Sequence, residues 1–137
     1  MAPAAAARRR PATAEAEFRL NTSDGRTFRA ALDTVADRAR WERRLADPAF
    51  QSTIRGVSIL RDGVSHVLPA PDGFRETRYR LDRIEVDGEL VAYRATAHSD
   101  AVRISITVYT GPQHLARVDV RHLGKVRYDP SREVSRR

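Results

Sequence analysis

The sequence has no cysteine among its 137 residues and contains no long apolar run. Without cysteine, the chain cannot form disulfide bonds, cysteine-based zinc sites or thiol nucleophiles, so its stability has to come from packing. The apolar runs also fall short of the about 18 residues that a transmembrane helix needs. We therefore expect a cytoplasmic protein that does not cross a membrane.

Lysine is almost absent, because Lys125 is the only lysine and arginine supplies the rest of the positive charge. The formal net charge is +7, but residues 1–16 and residues 131–137 each contribute about +2 of it. A basic chain attracts anions, yet only about +3 remains for the central part. The length suits one core, so we predict a single domain over residues 17–130 between two disordered basic tails, 1–16 and 131–137.

The first part of the predicted domain reads as a hairpin followed by a helix. Apolar residues alternate on both sides of Asp24-Gly25, which is a strong signal for two antiparallel strands joined by a tight turn. The apolar spacing then becomes helical, with Asp33 as a candidate N-cap and arginines towards the end. Asp47-Pro48 has the residue types of a second helix start. We predict one kinked helix over about residues 34–55.

The rest of the chain alternates between strands and turns. Turn signals recur at intervals of about ten to fifteen residues, a spacing typical of antiparallel meanders and barrels. The alternation changes phase between Leu81 and Ile84, which indicates a bulge near Asp82 or Arg83 that would bend the sheet. The sequence therefore predicts an α+β fold: an N-terminal β-hairpin, the kinked helix, and a bent antiparallel meander or partial barrel of five to six strands.

The outward face of this predicted sheet carries the candidate site. In the segment VRISITVY, from Val102 to Tyr109, alternation points the aliphatic residues inwards and the arginine, hydroxyl and tyrosine side chains outwards. Arginine can contact phosphates, and tyrosine can stack on a base. The same pattern also fits a solvated face, since an exposed sheet face has to be polar. The candidate nucleic-acid-binding residues are Arg94, Arg103, Tyr109, Arg117, Arg121 and Arg127.

A protein partner is the alternative. Trp41 and Arg44 lie in the helical segment ADRARWERRLAD, and both residue types are enriched at interface hot spots. The competing interpretation packs Trp41 against the sheet, as expected for the one tryptophan of a small core. The loop Pro69–Phe74 and a free sheet edge are further candidate docking points. On this alternative, the chain is an accessory or assembly subunit of a protein complex.

No sequence pattern points to catalysis or to a cofactor. His98, Ser99 and Asp100 have the residue types of a hydrolase triad, but neighbours at a strand end point in different directions. The four histidines show no compact metal-ligand spacing, and four of the seven glycines follow aspartate as turn residues. The sequence therefore favours a small non-enzymatic basic module that contacts DNA or RNA, without cofactor or metal.

Overall fold

The computed structural model describes residues 16–69, 77–113 and 115–123. The two predicted tails lie outside these ranges except for Ala16, which is buried and belongs to the core rather than to a tail. Most of the loop Pro69–Phe74 also lies outside them. The elements are β1 (Glu17–Thr22), β2 (Thr27–Ala30), α1 (Val35–Leu45), α2 (Pro48–Gln51), β3 (Ile54–Arg61), β4 (Val64–Val67), β5 (Arg78–Val86), β6 (Glu89–His98), β7 (Val102–Tyr109) and β8 (Ala116–His122).

The strands form two antiparallel sheets of four strands each. Sheet 1 has the order β2-β1-β3-β4, and sheet 2 has the order β5-β6-β7-β8. The α+β class is confirmed, but the prediction of one meander after the helix is wrong. Strand β3 pairs with β1 instead, which sets Phe18 beside Ile59 and Leu20 beside Val57 on one buried face. This pairing joins β3 and β4 to the N-terminal hairpin.

The helical region consists of two separate short helices, so the single kinked helix over residues 34–55 is also a wrong prediction. Thr34, not Asp33, is the N-cap of α1, and its hydroxyl accepts a hydrogen bond from the backbone N–H of Asp37 at 3.0 Å. Asp47 caps α2 ahead of Pro48, in agreement with the sequence pattern. The helix ends early because β3 already begins at Ile54.

Two Asp-Gly turns set the register of the hairpins. Asp62 and Asp87 both have a φ of 52°, and the glycine after each also has a positive φ, as a two-residue type I′ hairpin turn requires. The predicted bulge near Asp82 or Arg83 of β5 is a wrong prediction: the register against β6 shifts between Ile84 and Glu85, and the extra residue is Val91 of β6, which has no partner on β5. The residues of β5 therefore pair one after another from Arg78 to Val86.

The core lies between the inner faces of the two sheets. Phe18 of sheet 1 and Tyr93 of sheet 2 make an edge-to-face contact with ring centroids 5.9 Å apart, and both side chains are buried. Arg61 adds a polar connection, because its guanidinium donates to the carbonyl oxygens of Tyr109 (3.1 Å), the last residue of β7, and of Thr110 (2.8 Å). Among the helices of the described residues, none is long and apolar enough to span a membrane.

Candidate nucleic-acid interface

The register of sheet 2 decides which outward side chains are neighbours. Its hairpins pair residue by residue, so side chains directly opposite one another lie on the same face. Five of the six candidate residues predicted from the sequence lie on the outward face, and Arg127 lies outside the described residues. Those five are Arg94 on β6, Arg103 and Tyr109 on β7, and Arg117 and Arg121 on β8.

One line of outward residues crosses all four strands and carries only basic residue types. Arg78 lies opposite His98, His98 lies opposite Arg103, and Arg103 lies opposite Arg121. We call these four residues the arginine row. Neighbouring strands are separated by about 4.8 Å, so the row spans about 14 Å. It therefore has the length of a short run of phosphates.

The three arginines of this row have no partner among the described residues. Neither a hydrogen bond nor an ion pair from that part of the chain reaches the guanidinium groups of Arg78, Arg103 or Arg121. All three residues are exposed, as is His98. Like charges directly opposite one another destabilise a sheet, so the row disfavours folding unless solvent or an anion compensates for it.

The other three arginines of the face are engaged. The Nε atom of Arg80 lies 3.0 Å from Oδ2 of Asp82, and that of Arg117 lies 3.1 Å from Oδ1 of Asp119. The side chain of Arg94 instead donates to the buried hydroxyl of Thr107 at 2.9 Å. Arg94 keeps its positive charge, since a hydroxyl is neutral, and the other arginines without a carboxylate partner in the described residues are those of the arginine row, at one end of the sheet.

Tyr109 lies at the opposite end of β7 from Arg103. They are six positions apart, which corresponds to about 20 Å along a strand. Tyr109 contacts Arg117, and the pKa of Arg117 is raised above its usual value by Asp119 first and by Tyr109 second. A base stacked on Tyr109 would therefore belong to a different nucleotide from a phosphate held by Arg103.

The arginine row lines one large open depression with a volume of about 1440 Å³. Typical small-molecule pockets are smaller, at about 300–1,000 Å³. Trp41 and Leu45 of α1 line the depression beside the edge of β5, whereas Arg103 and Arg121 line it on the outward face of sheet 2. A surface of this size and openness suits a polymer better than an enclosed small ligand.

The sequence did not single out Arg78 and His98 as site residues, although alternation does put them on the outward face. Their importance comes from their register, because the Ser99-Asp100 turn sets His98 opposite Arg103, and the Asp87-Gly88 hairpin together with its register shift sets Arg78 opposite His98. A cross-strand alignment counted from the Asp87-Gly88 turn alone would have set Arg78 opposite Ala97, so the row also depends on the register shift between Ile84 and Glu85. Which arginines are engaged by Asp82, Thr107 and Asp119 depends on side-chain geometry.

The second predicted surface is mostly inside the protein. Trp41 is 5% exposed and packs beside Phe50, with ring centroids 6.3 Å apart. The exposed Arg44 covers this cluster, with its guanidinium carbon 4.6 Å from the ring centre of Phe28 and 4.7 Å from that of Phe50. A partner on this side of the molecule would meet Arg44 rather than the indole. The partner-binding role of Trp41 and Arg44 stays a prediction.

The hydroxyl of Ser99 has a structural role in the turn after β6. It accepts hydrogen bonds from the backbone N–H groups of Ala101 (3.2 Å) and Val102 (3.4 Å). Within residues 16–69, 77–113 and 115–123, no three His, Asp or Glu side chains come together in a way that could hold a metal ion.

A comparison of the chain with protein-family models, curated proteins and solved structures finds no match to any of them. The functional argument consequently rests on the geometry and charge of the outward face.

Proposed function

We propose that the chain is a small, non-enzymatic nucleic-acid-binding protein that contacts the phosphate backbone of DNA or RNA through the outward face of sheet 2. The arginine row is the observation that carries this proposal. Three exposed arginines without an acidic partner in the described residues, aligned across four strands, supply charge that phosphates can neutralise.

The charge balance of the face supports the same proposal. The outward face of sheet 2 carries six arginines and only two carboxylates among the described residues, those of Asp82 and Asp119. These two carboxylates are already paired with Arg80 and Arg117. Binding of phosphates to the arginine row would release condensed counterions without breaking an existing ion pair. Arg94, Arg117 and Tyr109 then form the outer part of the interface, where stacking on Tyr109 adds contact that does not depend on sequence.

The test compares two double variants that each remove two positive charges from the full chain. Arg103→Gln with Arg121→Gln removes half of the arginine row, whereas Arg26→Gln with Arg29→Gln removes two exposed arginines of the β1–β2 hairpin in sheet 1. Fluorescence anisotropy with labelled single-stranded and duplex oligonucleotides measures affinity over a series of salt concentrations. We expect the row variant to lose at least about tenfold in affinity and about two units of log–log salt slope.

The control variant should bind within about twofold of the wild type, because Arg26 and Arg29 lie in the β1–β2 hairpin of sheet 1 and are already paired with Asp24 and Glu17. Equal losses in the two variants would mean that only net charge matters and that the row is not a site. Absence of binding by the wild-type chain at low salt would refute the proposed function altogether.

The accessory-subunit function is the second candidate. The surfaces that a protein partner could contact are the exposed Arg44, which covers Phe28 and Phe50, and the sheet edges. Trp41 itself is buried. A pull-down from native lysate with and without nuclease separates the two functions. Partners that disappear on nuclease treatment support nucleic-acid binding, and partners that persist support the accessory subunit.

A further inference from the structure

Strand β8 ends sheet 2 with a row of backbone groups that point away from the sheet. The carbonyl oxygen of Leu115 accepts from the N–H of Tyr109, and the N–H of Leu123 donates to Ala101, so the odd-numbered residues of this segment bond to β7. The N–H and C=O groups of the even-numbered residues therefore face outwards. No described residue hydrogen-bonds to the outward groups of Ala116, Val118, Val120 or His122.

The apolar face of β8 is uncovered as well. Val118 lies opposite Ile106 and Val120 lies opposite Ile104 on the inner face of sheet 2. The two isoleucines are each 4% exposed, but Val118 and Val120 are 48% and 55% exposed. The apolar stripe of sheet 2 therefore continues past the part of the core that the described residues cover. A long edge with exposed apolar residues favours pairing with another strand.

The charges of β8 are complementary to those of a second β8 in antiparallel orientation. The outward backbone groups require an even-numbered residue to lie opposite an even-numbered or an odd opposite an odd. A two-fold axis at Val118 sets Arg117 of each copy opposite Asp119 of the other, which gives two ion pairs. An axis at Val120 sets Arg121 of each copy opposite Asp119 of the other, which also gives two ion pairs. In both registers, valine meets valine on the axis.

The remaining central register is disfavoured by charge. A two-fold axis at Asp119 would oppose this carboxylate to its own copy and Arg117 to Arg121. Like charges directly opposite one another destabilise paired strands, whereas opposite charges stabilise them. The sequence of β8 thus favours the two registers that match charge and apolar side chains together.

We propose that β8 is the interface for a second copy of this chain, and that the two copies form a two-fold symmetric dimer through antiparallel β8–β8 pairing. The two four-stranded sheets then form one continuous sheet, and the valines of both copies lie side by side on its inner face. This inference does not require the proposed nucleic-acid function, although an axis at Val120 would pair Arg121 of the arginine row with Asp119 of the second copy.

Sedimentation velocity of the nuclease-treated, full-length chain over a wide concentration range tests the dimer. We expect a concentration-dependent doubling of the 15.4 kDa monomer mass. Asp119→Arg should weaken dimerisation at least tenfold, because it converts opposite charges into like charges in both favoured registers. The double variant Arg117→Asp with Asp119→Arg should restore the dimer if the axis is at Val118. Asp119→Arg with Arg121→Asp should restore it if the axis is at Val120.

A matched pair of valine substitutions gives a second measurement. Val118→Lys places a positive charge on the apolar face of β8 and should abolish the dimer. Val67→Lys makes the same change at an exposed valine of β4 and should leave the dimer unchanged. Circular dichroism checks that each variant is folded. A wild-type chain that stays monomeric overturns the proposal. Residues 124–137 or another protein would then be the remaining candidates to cover the edge of β8. A dimer that is insensitive to both Asp119→Arg and Val118→Lys also overturns it.

Discussion

At the scale of single residues, arginine fills three physically different roles in this protein. Arg61 is largely buried and donates to backbone carbonyls at the end of β7. Arg44 covers the aromatic rings of Phe28 and Phe50. Arg103 has no partner among the described residues and faces solvent. Composition alone treats these residues as equal contributions to a net charge of +7. Only the third role is available to a phosphate.

Glu17 gives a residue-scale prediction about acid stability. Burial alone would raise its pKa, but hydrogen bonds from Arg29 and Arg19 outweigh burial and lower the pKa below its usual value near 4.5. A lowered pKa means that Glu17 stabilises the fold above about pH 4.5 and that this contribution is lost as the pH falls through the folded-state pKa. Chemical denaturation between neutral and acidic pH should therefore show a smaller acid loss for Glu17→Gln than for the wild type.

The control for this effect is Glu89→Gln, which removes an exposed carboxylate without a partner among the described residues. It should reproduce the wild-type pH dependence. An acid loss that is the same in Glu17→Gln and the wild type would show that the pairs to Arg19 and Arg29 do not couple to folding.

At the scale of elements, the side chain of Gln51 joins α2 to the edge of β5. Its amide oxygen accepts from the N–H of Tyr79 and its amide nitrogen donates to the C=O of Tyr79, both at 2.8 Å. The same nitrogen donates to the carbonyl of Leu45 at the end of α1. The amide of Gln51 thus bonds to Tyr79 as the peptide group of an adjacent strand would, and it connects α1, α2 and β5.

Gln51→Met should lower the free energy of unfolding by about 2–4 kcal/mol, because it leaves the buried N–H and C=O of Tyr79 unsatisfied without a large change in volume. Urea denaturation measures this loss. The same substitution at the exposed Gln113 should change the free energy of unfolding by less than about 0.5 kcal/mol. Similar values at both positions would mean that Gln51 does not hold β5 in place.

The hairpins of these elements could be predicted because their signals are local. Asp62 and Asp87, each followed by glycine, fit the positive φ angles of a tight turn, so the turn position is encoded by two residues. The pairing of β1 with β3 could not be predicted in this way. Helices α1 and α2 separate the two strands in the sequence, and no short-range pattern says which strand a β-hairpin accepts as its next neighbour.

At the scale of the whole molecule, the net charge of +7 divides into about +4 from residues 1–16 and 131–137 and about +3 from the rest of the chain. A full-length variant with Arg8, Arg9, Arg10, Arg136 and Arg137 replaced by glutamine removes the charge of the ends and retains the arginine row. We expect a shallower salt dependence but continued binding to oligonucleotides at low salt, because phosphate contacts on sheet 2 remain. Complete loss of binding, measured by anisotropy, would assign the interaction to the ends of the chain.

The sequence by itself determined the α+β class, the Asp-Gly turns at Asp62 and Asp87, the start of α2 and the set of described residues on the outward face of sheet 2. These features depend on contacts between residues that are close in the chain. Tertiary structure decided the division into two sheets, the burial of Trp41 and the exposure of β8, because each depends on which distant strand supplies the facing surface. It also decided which arginines are engaged by Asp82, Thr107 and Asp119 and which remain for an anion.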